Sequence, residues 1–98
     1  MKTRFLQPAK EFIDTLPIDQ RAKLAASISV MVEGHLELAR TKSLRGKIRE
    51  LIVKNSRFTF FVIDETIYFV NGFIKKSNKT PKSEIDYAEK VYKLMMNN

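Results

Sequence analysis

The sequence predicts an α+β domain in which an N-terminal helical hairpin packs on a three- to four-stranded antiparallel sheet, closed by a C-terminal helix. Three observations predict this fold class. Amphipathic apolar stripes occupy the first third of the chain, β-branched and aromatic runs follow, and a helical segment with start signals ends it. A chain of 98 residues provides one domain, spanning 1–98, with one modest core.

The N-terminal third predicts two successive helices. The first is expected to begin at Pro8, because proline fits a first helical turn, and to end before Pro17. A second apolar stripe follows Pro17 and stops at Gly34, a residue type that ends helices without steric cost. Helices separated by a proline predict an αα-hairpin. The segment 1–6 fits either a frayed tail or a short edge strand.

Three strands are predicted next, and short turns between them imply an antiparallel meander. They are Lys47–Val53, Arg57–Ile63 and Thr66–Phe73. The preceding segment, 35–46, is polar and has no clear period, so we expect an irregular connection there. Asp64-Glu65 lacks the glycine typical of tight hairpins, which leaves a longer loop open.

The last helix is expected to start at Pro81, with Thr80 as its N-cap and Glu84 completing a capping box. Before it, Lys75, Lys76 and Lys79 leave the third strand together. Several positive charges at one end of a sheet, next to a helix start, can hold a phosphate group.

Composition narrows the function further. The formal net charge is +7, which suits a polyanionic or acidic partner, although a solvated lysine-rich surface explains it equally well. The absence of cysteine and the single histidine, His35, argue against a thiolate or histidine-rich metal site, and no cofactor is expected. No apolar run approaches the roughly 18 residues of a membrane helix or resembles a signal peptide, so we expect a cytoplasmic protein without a membrane partner.

In this order of elements, Asn71–Lys90 (NGFIKKSNKTPKSEIDYAEK) resembles a signature of the HigB-like branch of the RelE/ParE toxin superfamily. Two strand motifs of the same branch are similar to segments of this chain, namely Ile48–Leu51 (IREL) and Arg57–Phe61 (RFTFF). The resemblance covers nearly the whole chain and implies a RelE-like fold. It also implies the toxin component of a type II toxin–antitoxin system.

The resemblance implies a site for metal-independent RNA cleavage, in which the 2′-hydroxyl attacks the adjacent phosphate. Arg57 would stabilise the phosphate with its planar fork, and Lys75, Lys76 or Lys79 would bind phosphate or transfer a proton. Structural alternatives stay open, including an ion pair between Arg57 and Glu50 and an edge-protecting role for the lysines.

Further RNA contacts are expected from basic residues that could track phosphates and from one aromatic that could stack on a base. These candidates are Arg45, Lys47, Arg49 and Tyr68. A solvated basic face and cross-strand packing of the tyrosine are the corresponding structural alternatives.

Members of the superfamily include ribosome-dependent messenger RNA endonucleases, which is the leading hypothesis here, and gyrase inhibitors, which is the alternative. A third reading is a non-toxic relative that acts with an antitoxin repressor. The expected partners are a cognate antitoxin, of the helix-turn-helix type and acidic where it covers the basic face, together with the ribosome and messenger RNA. Ile52 stands where relatives usually carry arginine, and the terminal segment 95–98 lacks the histidine or tyrosine of some relatives, so no general base is assigned.

Overall fold

The computed structural model describes residues 1–97, so the end of the predicted domain at Asn98 lies outside the described residues. Its elements, in chain order, are β1 (Lys2–Phe5), α1 (Gln7–Asp14), α2 (Ile18–Val32), a 3-10 turn (Leu36–Leu38), β2 (Thr41–Arg45), β3 (Ile48–Val53), β4 (Ser56–Ile63), β5 (Thr66–Ile74) and α3 (Lys82–Met96). One sheet contains all these strands in the order β1-β5-β4-β3-β2. Within residues 1–97, no helix has both the length and the apolar character needed to cross a bilayer.

The α+β class and the antiparallel β3-β4-β5 meander are confirmed, but the sheet has five strands instead of three or four. The segment 1–6 contains an edge strand, because β1 pairs in parallel with β5 from Lys2 opposite Thr66 to Phe5 opposite Phe69. The prediction of an irregular connection over 35–46 was wrong for the second half of this segment, where β2 forms and pairs with β3. As an edge strand with no fully buried residue, β2 lacks the alternation that marks a strand in sequence.

The hairpin between β4 and β5 is tight despite its lack of glycine. Asp64 and Glu65 have positive φ angles of 47° and 62°, as the two central residues of a type I′ turn require. Ile63 and Thr66 therefore pair directly, and the longer loop left open by the sequence does not occur.

The sheet separates two apolar clusters, because successive strand residues point to opposite faces. On the face covered by α1 and α2, the fully buried rings of Phe58, Phe60 and Phe69 pack with helix residues such as Leu24. On the other face, strand residues Ile48, Phe61 and Val70 pack against Ala88 of α3. Helix α3 therefore packs on the face of the sheet opposite α1 and α2.

The start of α3 differs from the predicted capping box. Pro81 is the N-cap residue, and neither Thr80 nor Glu84 caps the helix. Thr80 Oγ1 instead donates a 2.6 Å hydrogen bond to Glu50 Oε1 of β3, and Glu84 Oε1 accepts a 2.6 Å bond from Asn71 Nδ2 of β5. The prediction was wrong because a local motif was outcompeted by tertiary partners on the sheet. As a result, the end of the basic loop is fastened to the sheet.

Candidate functional site

Two chain segments meet at one end of the sheet as a direct result of the meander. Strands β3 and β5 run in the same direction, so the β3-β4 turn and the exit from β5 lie at the same end. The Lys75 N–H donates a 2.8 Å hydrogen bond to the Asn55 carbonyl oxygen, which joins the turn to the exit loop. These two segments form the walls of an open cleft.

The cleft has a volume of about 510 Å³ and a mainly polar lining. Its lining residues are Lys54, Asn55, Arg57, Lys75, Lys76, Ser77 and Asn78. Four of these side chains are cationic and none is acidic, so the cleft favours an anionic ligand. The structure thus brings together Arg57, Lys75 and Lys76, three of the four residues predicted from the sequence to act in catalysis.

Arg57 is held in place by the backbone beside it. Its Nη1 donates to the Lys54 carbonyl oxygen at 2.7 Å and to the Ser56 carbonyl oxygen at 2.9 Å. No carboxylate within residues 1–97 lies within 4.0 Å of its guanidinium nitrogens, so the alternative pairing with Glu50 is wrong. Because Nη1 is engaged, the Nη2 group is the arm of the fork that is left for a ligand.

Lys54 is a cleft residue that the sequence interpretation treated only as part of a turn. It has a positive φ of 55°, and its Nζ lies 3.7 Å from Asp19 Oδ2 at the start of α2. The close approach of its ammonium group also lowers the pKa of Lys23 below the ordinary value, because two like charges oppose each other. Cations are therefore crowded at this rim. The sequence did contain a signal for Lys54 as a cleft residue. An antiparallel meander places the β3-β4 turn beside the loop after β5.

Lys79 does not line the cleft. Its side chain is exposed, and its carbonyl oxygen accepts a 3.0 Å hydrogen bond from Ser77 Oγ. It lies in the same loop as Lys75 and Lys76 but is not among the residues that line the cleft. Its predicted catalytic role has no support from its position.

Arg45 and Arg49, two of the residues predicted to contact RNA, bond to neighbouring side chains of the protein. Arg45 Nη1 lies 2.7 Å from Asp86 Oδ1 and 3.3 Å from Glu89 Oε1, which joins β2 to α3. Hydrogen bonding to Asp86 raises the pKa of Arg45, while Lys82, and after it Arg45, lowers the pKa of Asp86. These ion pairs direct the Arg45 charge toward α3 instead of solvent.

Arg49 and Lys47 also lie away from the cleft. Arg49 Nη2 donates a 2.9 Å hydrogen bond to Thr41 Oγ1, and its place in β3 puts it on the opposite face from Glu50. Lys47 is exposed in the β2-β3 turn, at the end of β3 remote from the cleft. The predicted basic track through Arg45, Lys47 and Arg49 is therefore not a continuous surface. Arg45 pairs with Ile48, the residue before Arg49 on β3, so Arg45 and Arg49 lie on opposite faces of the sheet.

Tyr68 packs in the second apolar cluster instead of facing the cleft. Its ring stacks on that of Phe61, with centroids 5.6 Å apart. The aromatic residue that pairs with Arg57 across β4 and β5, and so shares its face, is Phe73. Phe73 is partly exposed and belongs to neither apolar cluster. Sequence reasoning missed it because the strand register is not visible in the sequence.

No cluster of three or more histidine and carboxylate side chains is placed to hold a metal ion in the part of the chain that the structure describes. The chemistry available at the cleft is that of lysine and arginine. Such groups bind phosphate and stabilise developing negative charge.

Comparison with known families identifies the chain. The profile described as "Phage derived protein Gp49-like (DUF891)" matches residues 11–93. The chain belongs to this Gp49-like family. No curated protein matches it in sequence.

Among solved structures, this Gp49-like protein is similar to RelE toxins. The RelB-RelE antitoxin-toxin complex from Methanococcus jannaschii matches with a TM-score of 0.64 and 21% identity, over 85% of this chain and 95% of that chain. The isolated E. coli RelE toxin matches with a TM-score of 0.64 and 15% identity, over 87% and 95%. The intact E. coli RelBE toxin-antitoxin complex gives 0.62 and 17%, over 78% and 98%. The RelE-like fold is confirmed, whereas membership of the RelE/ParE superfamily and of its HigB-like branch stays a prediction.

Proposed function

We propose that this Gp49-like protein is the toxin component of a type II toxin–antitoxin pair and that it cleaves messenger RNA on the ribosome, in the cytoplasm. The observation that carries the proposal is the open cleft lined by Arg57, Lys54, Lys75 and Lys76, with no carboxylate among its lining residues. Of the four cations, Lys54 also lies 3.7 Å from Asp19 Oδ2 at the rim. The cleft lies on a fold similar to that of RelE toxins. Four converging cations match the charge of an RNA backbone better than that of a neutral substrate.

The proposed reaction needs no group beyond those of the cleft and the substrate. The ribose 2′-oxygen loses its proton and bonds to the adjacent phosphorus, and the bond from phosphorus to the 5′-oxygen breaks. The departing 5′-oxygen receives a proton. Arg57 Nη2 would stabilise the charge on the crowded phosphate, because a positioned donor is worth most where charge develops. Lys75, which is half-buried next to Arg57 and Lys76, is the candidate for proton transfer.

The ribosome would supply the positioning that so small a site lacks. Ordering the messenger strand for attack costs conformational and rotational entropy, and a shallow cleft cannot offset this cost by itself. The ribosome would hold the strand in the reactive geometry. Phe73, opposite Arg57 on the same face, would stack on the base next to the bound phosphate. Phe73 replaces Tyr68 in this role.

The proposed inhibitor is a cognate antitoxin. The similar RelE structures include complexes with the antitoxin RelB. For this chain, a partner with an acidic segment over the cleft would neutralise the four cations and exclude a phosphate. A helix-turn-helix reading frame next to the gene would support the predicted antitoxin type.

The proposal is tested by expressing the protein in cells and mapping messenger 5′ ends, with DNA integrity followed in parallel. We expect growth arrest, arrested translation and new 5′ ends inside coding regions. Arg57→Ala should lower cleavage by about 100- to 1,000-fold, as for loss of one donor to a developing oxyanion. Lys75→Ala with Lys76→Ala should also abolish toxicity.

The matched control is Lys90→Ala, which removes an exposed cation from α3, away from the cleft. This variant should remain fully toxic, and all variants should melt as cooperatively as the wild type. Growth arrest with intact messengers and damaged DNA would instead identify a gyrase-directed inhibitor. Absence of any growth effect, combined with a tight antitoxin complex, would identify a non-toxic relative.

A further inference from the structure

Glu50 is a carboxylate placed where an apolar side chain would be expected. It is fully buried in the middle of β3. Its Oε1 accepts the 2.6 Å hydrogen bond from Thr80 Oγ1, whereas its Oε2 is buried without a partner among residues 1–97. A buried carboxylate with so little compensation costs stability, and an apolar residue would pack there more favourably. Its presence therefore calls for a role other than stability.

The bond from Thr80 fastens one end of the basic loop. The other end is held by the bond from the Lys75 N–H to the Asn55 carbonyl oxygen. Between these two anchors, residues 76–79 are exposed, and the Ser77–Lys79 bond lies within the loop itself. The position of the loop relative to the sheet is thus set by its two anchored ends.

The anchor is close to the cleft. Glu50 pairs with Thr59 across β3 and β4, and the next pair on the same face is Ile52 with Arg57. The loop that ends at Thr80 carries Lys75 and Lys76, which line the cleft with Arg57. A shift of the loop at Thr80 would therefore change the spacing between these lysines and Arg57.

We propose that Glu50 is a positioning residue, which acts through Thr80 to hold loop 75–80 so that Lys75 and Lys76 face Arg57 across the cleft. The identity of the ligand as RNA rests on the proposed function, whereas the anchoring of the loop does not. Glu50 touches no ligand itself. It acts by fixing the geometry of the cations that do.

The first test compares threonine variants. Thr80→Val removes the hydroxyl that donates to Glu50, and Thr80→Ser keeps it. Thr59→Val is a control that removes a hydroxyl buried without a partner within residues 1–97. The readouts are NMR order parameters of the loop backbone and binding of a 2′-O-methyl oligouridine, which cannot be cleaved. Thr80→Val should lower the order parameters and weaken binding about tenfold, a difference of about 1.4 kcal/mol. Thr80→Ser and Thr59→Val should match the wild type in both.

A double variant separates positioning from stability. Thr80→Val alone leaves the Glu50 carboxylate buried and unpaired, so it also lowers the melting temperature. Glu50→Met combined with Thr80→Val replaces both partners by apolar groups, which should restore the melting temperature but not the anchor. Removing the carboxylate also removes a negative charge, which by itself would strengthen RNA binding. A loss of binding that persists in the double variant therefore reports the lost anchor.

Recovery of binding and loop order in the double variant would overturn the proposal, because the Glu50–Thr80 pair would then be structural alone. Unchanged order parameters in Thr80→Val would also overturn it. If the wild type bound no free oligouridine, the mapping of messenger 5′ ends would decide the proposed function, and the order parameters would still decide whether Glu50 positions the loop.

Discussion

At the scale of single residues, Arg57 is defined by the backbone atoms that hold it. Its Nη1 group is engaged by the carbonyl oxygens of Lys54 and Ser56, so the guanidinium reaches the cleft in a fixed orientation. Lysine cannot reproduce this arrangement, because a single ammonium has no rigid fork that binds backbone and ligand at the same time. The residue paired with Arg57 across β4 and β5 is Phe73, whose side chain lies on the same face of the sheet.

Phe73→Leu should weaken binding of a single-stranded oligonucleotide by about 1–3 kcal/mol if its ring stacks on a base. Tyr68→Leu should leave oligonucleotide affinity unchanged, because Tyr68 packs on Phe61 in the apolar cluster. Fluorescence anisotropy with a labelled oligonucleotide measures both variants. Equal losses for the two variants would contradict a specific role of Phe73.

At the scale of elements, β5 connects the core to the cleft. It pairs with β1 and β4, is covered by α1, and continues into the basic loop. Gly72 allows the close contact with α1, because a Cβ atom added there would overlap the ring of Phe12. Its φ is not in the left-handed region, so space and not backbone conformation requires the glycine. The apolar residues of β5 were visible in the sequence, but this contact with a helix about 60 residues earlier was not.

Gly72→Ala should destabilise the protein by about 1–3 kcal/mol, the usual range for overpacking a well-packed core. Urea unfolding monitored by circular dichroism gives the free energy of unfolding. The control is a double-mutant cycle with Phe12→Leu, which removes part of the ring that the new methyl group meets. Additive losses in this cycle would show that the Phe12 contact is not the cause.

At the scale of the whole molecule, the excess positive charge is unevenly distributed. Part of it is neutralised, as where Arg45 meets Asp86 on α3. The cleft, in contrast, collects Lys54, Arg57, Lys75 and Lys76 without an acid in its lining. Part of the positive charge is therefore concentrated at one end of the sheet, where it favours an anionic ligand.

Oligonucleotide affinity should fall with salt, with a slope of log K against log salt concentration of about −0.7 for each phosphate neutralised on a single strand. Lys75→Ala with Lys76→Ala should reduce the magnitude of this slope by about 0.7 for each lysine that contacts a phosphate. The control is Lys47→Ala with Lys90→Ala, which lowers the net charge equally at exposed sites away from the cleft. If both double variants gave the same slope, net charge and not the cleft would govern binding.

The sequence by itself determined the two N-terminal helices, the β3-β4-β5 meander and the last helix, because apolar periodicity is a property of neighbouring residues. It also determined that Arg57 and the post-sheet lysines share one end of the sheet, because strands joined by short turns must alternate in direction. Those features depend on local signals and on the connectivity of the chain.

Only the tertiary structure decided the remaining features. The edge strands β1 and β2 exist through pairing with strands elsewhere in the chain, and Thr80 bonds to Glu50 instead of capping α3. The same holds for the pairing of Phe73 with Arg57, for the packing of Tyr68 on Phe61 and for the pairing of Arg45 with α3. Each of these outcomes is a competition between a local preference and a distant partner, and that competition is resolved only when packing brings the partner within hydrogen-bonding or contact distance.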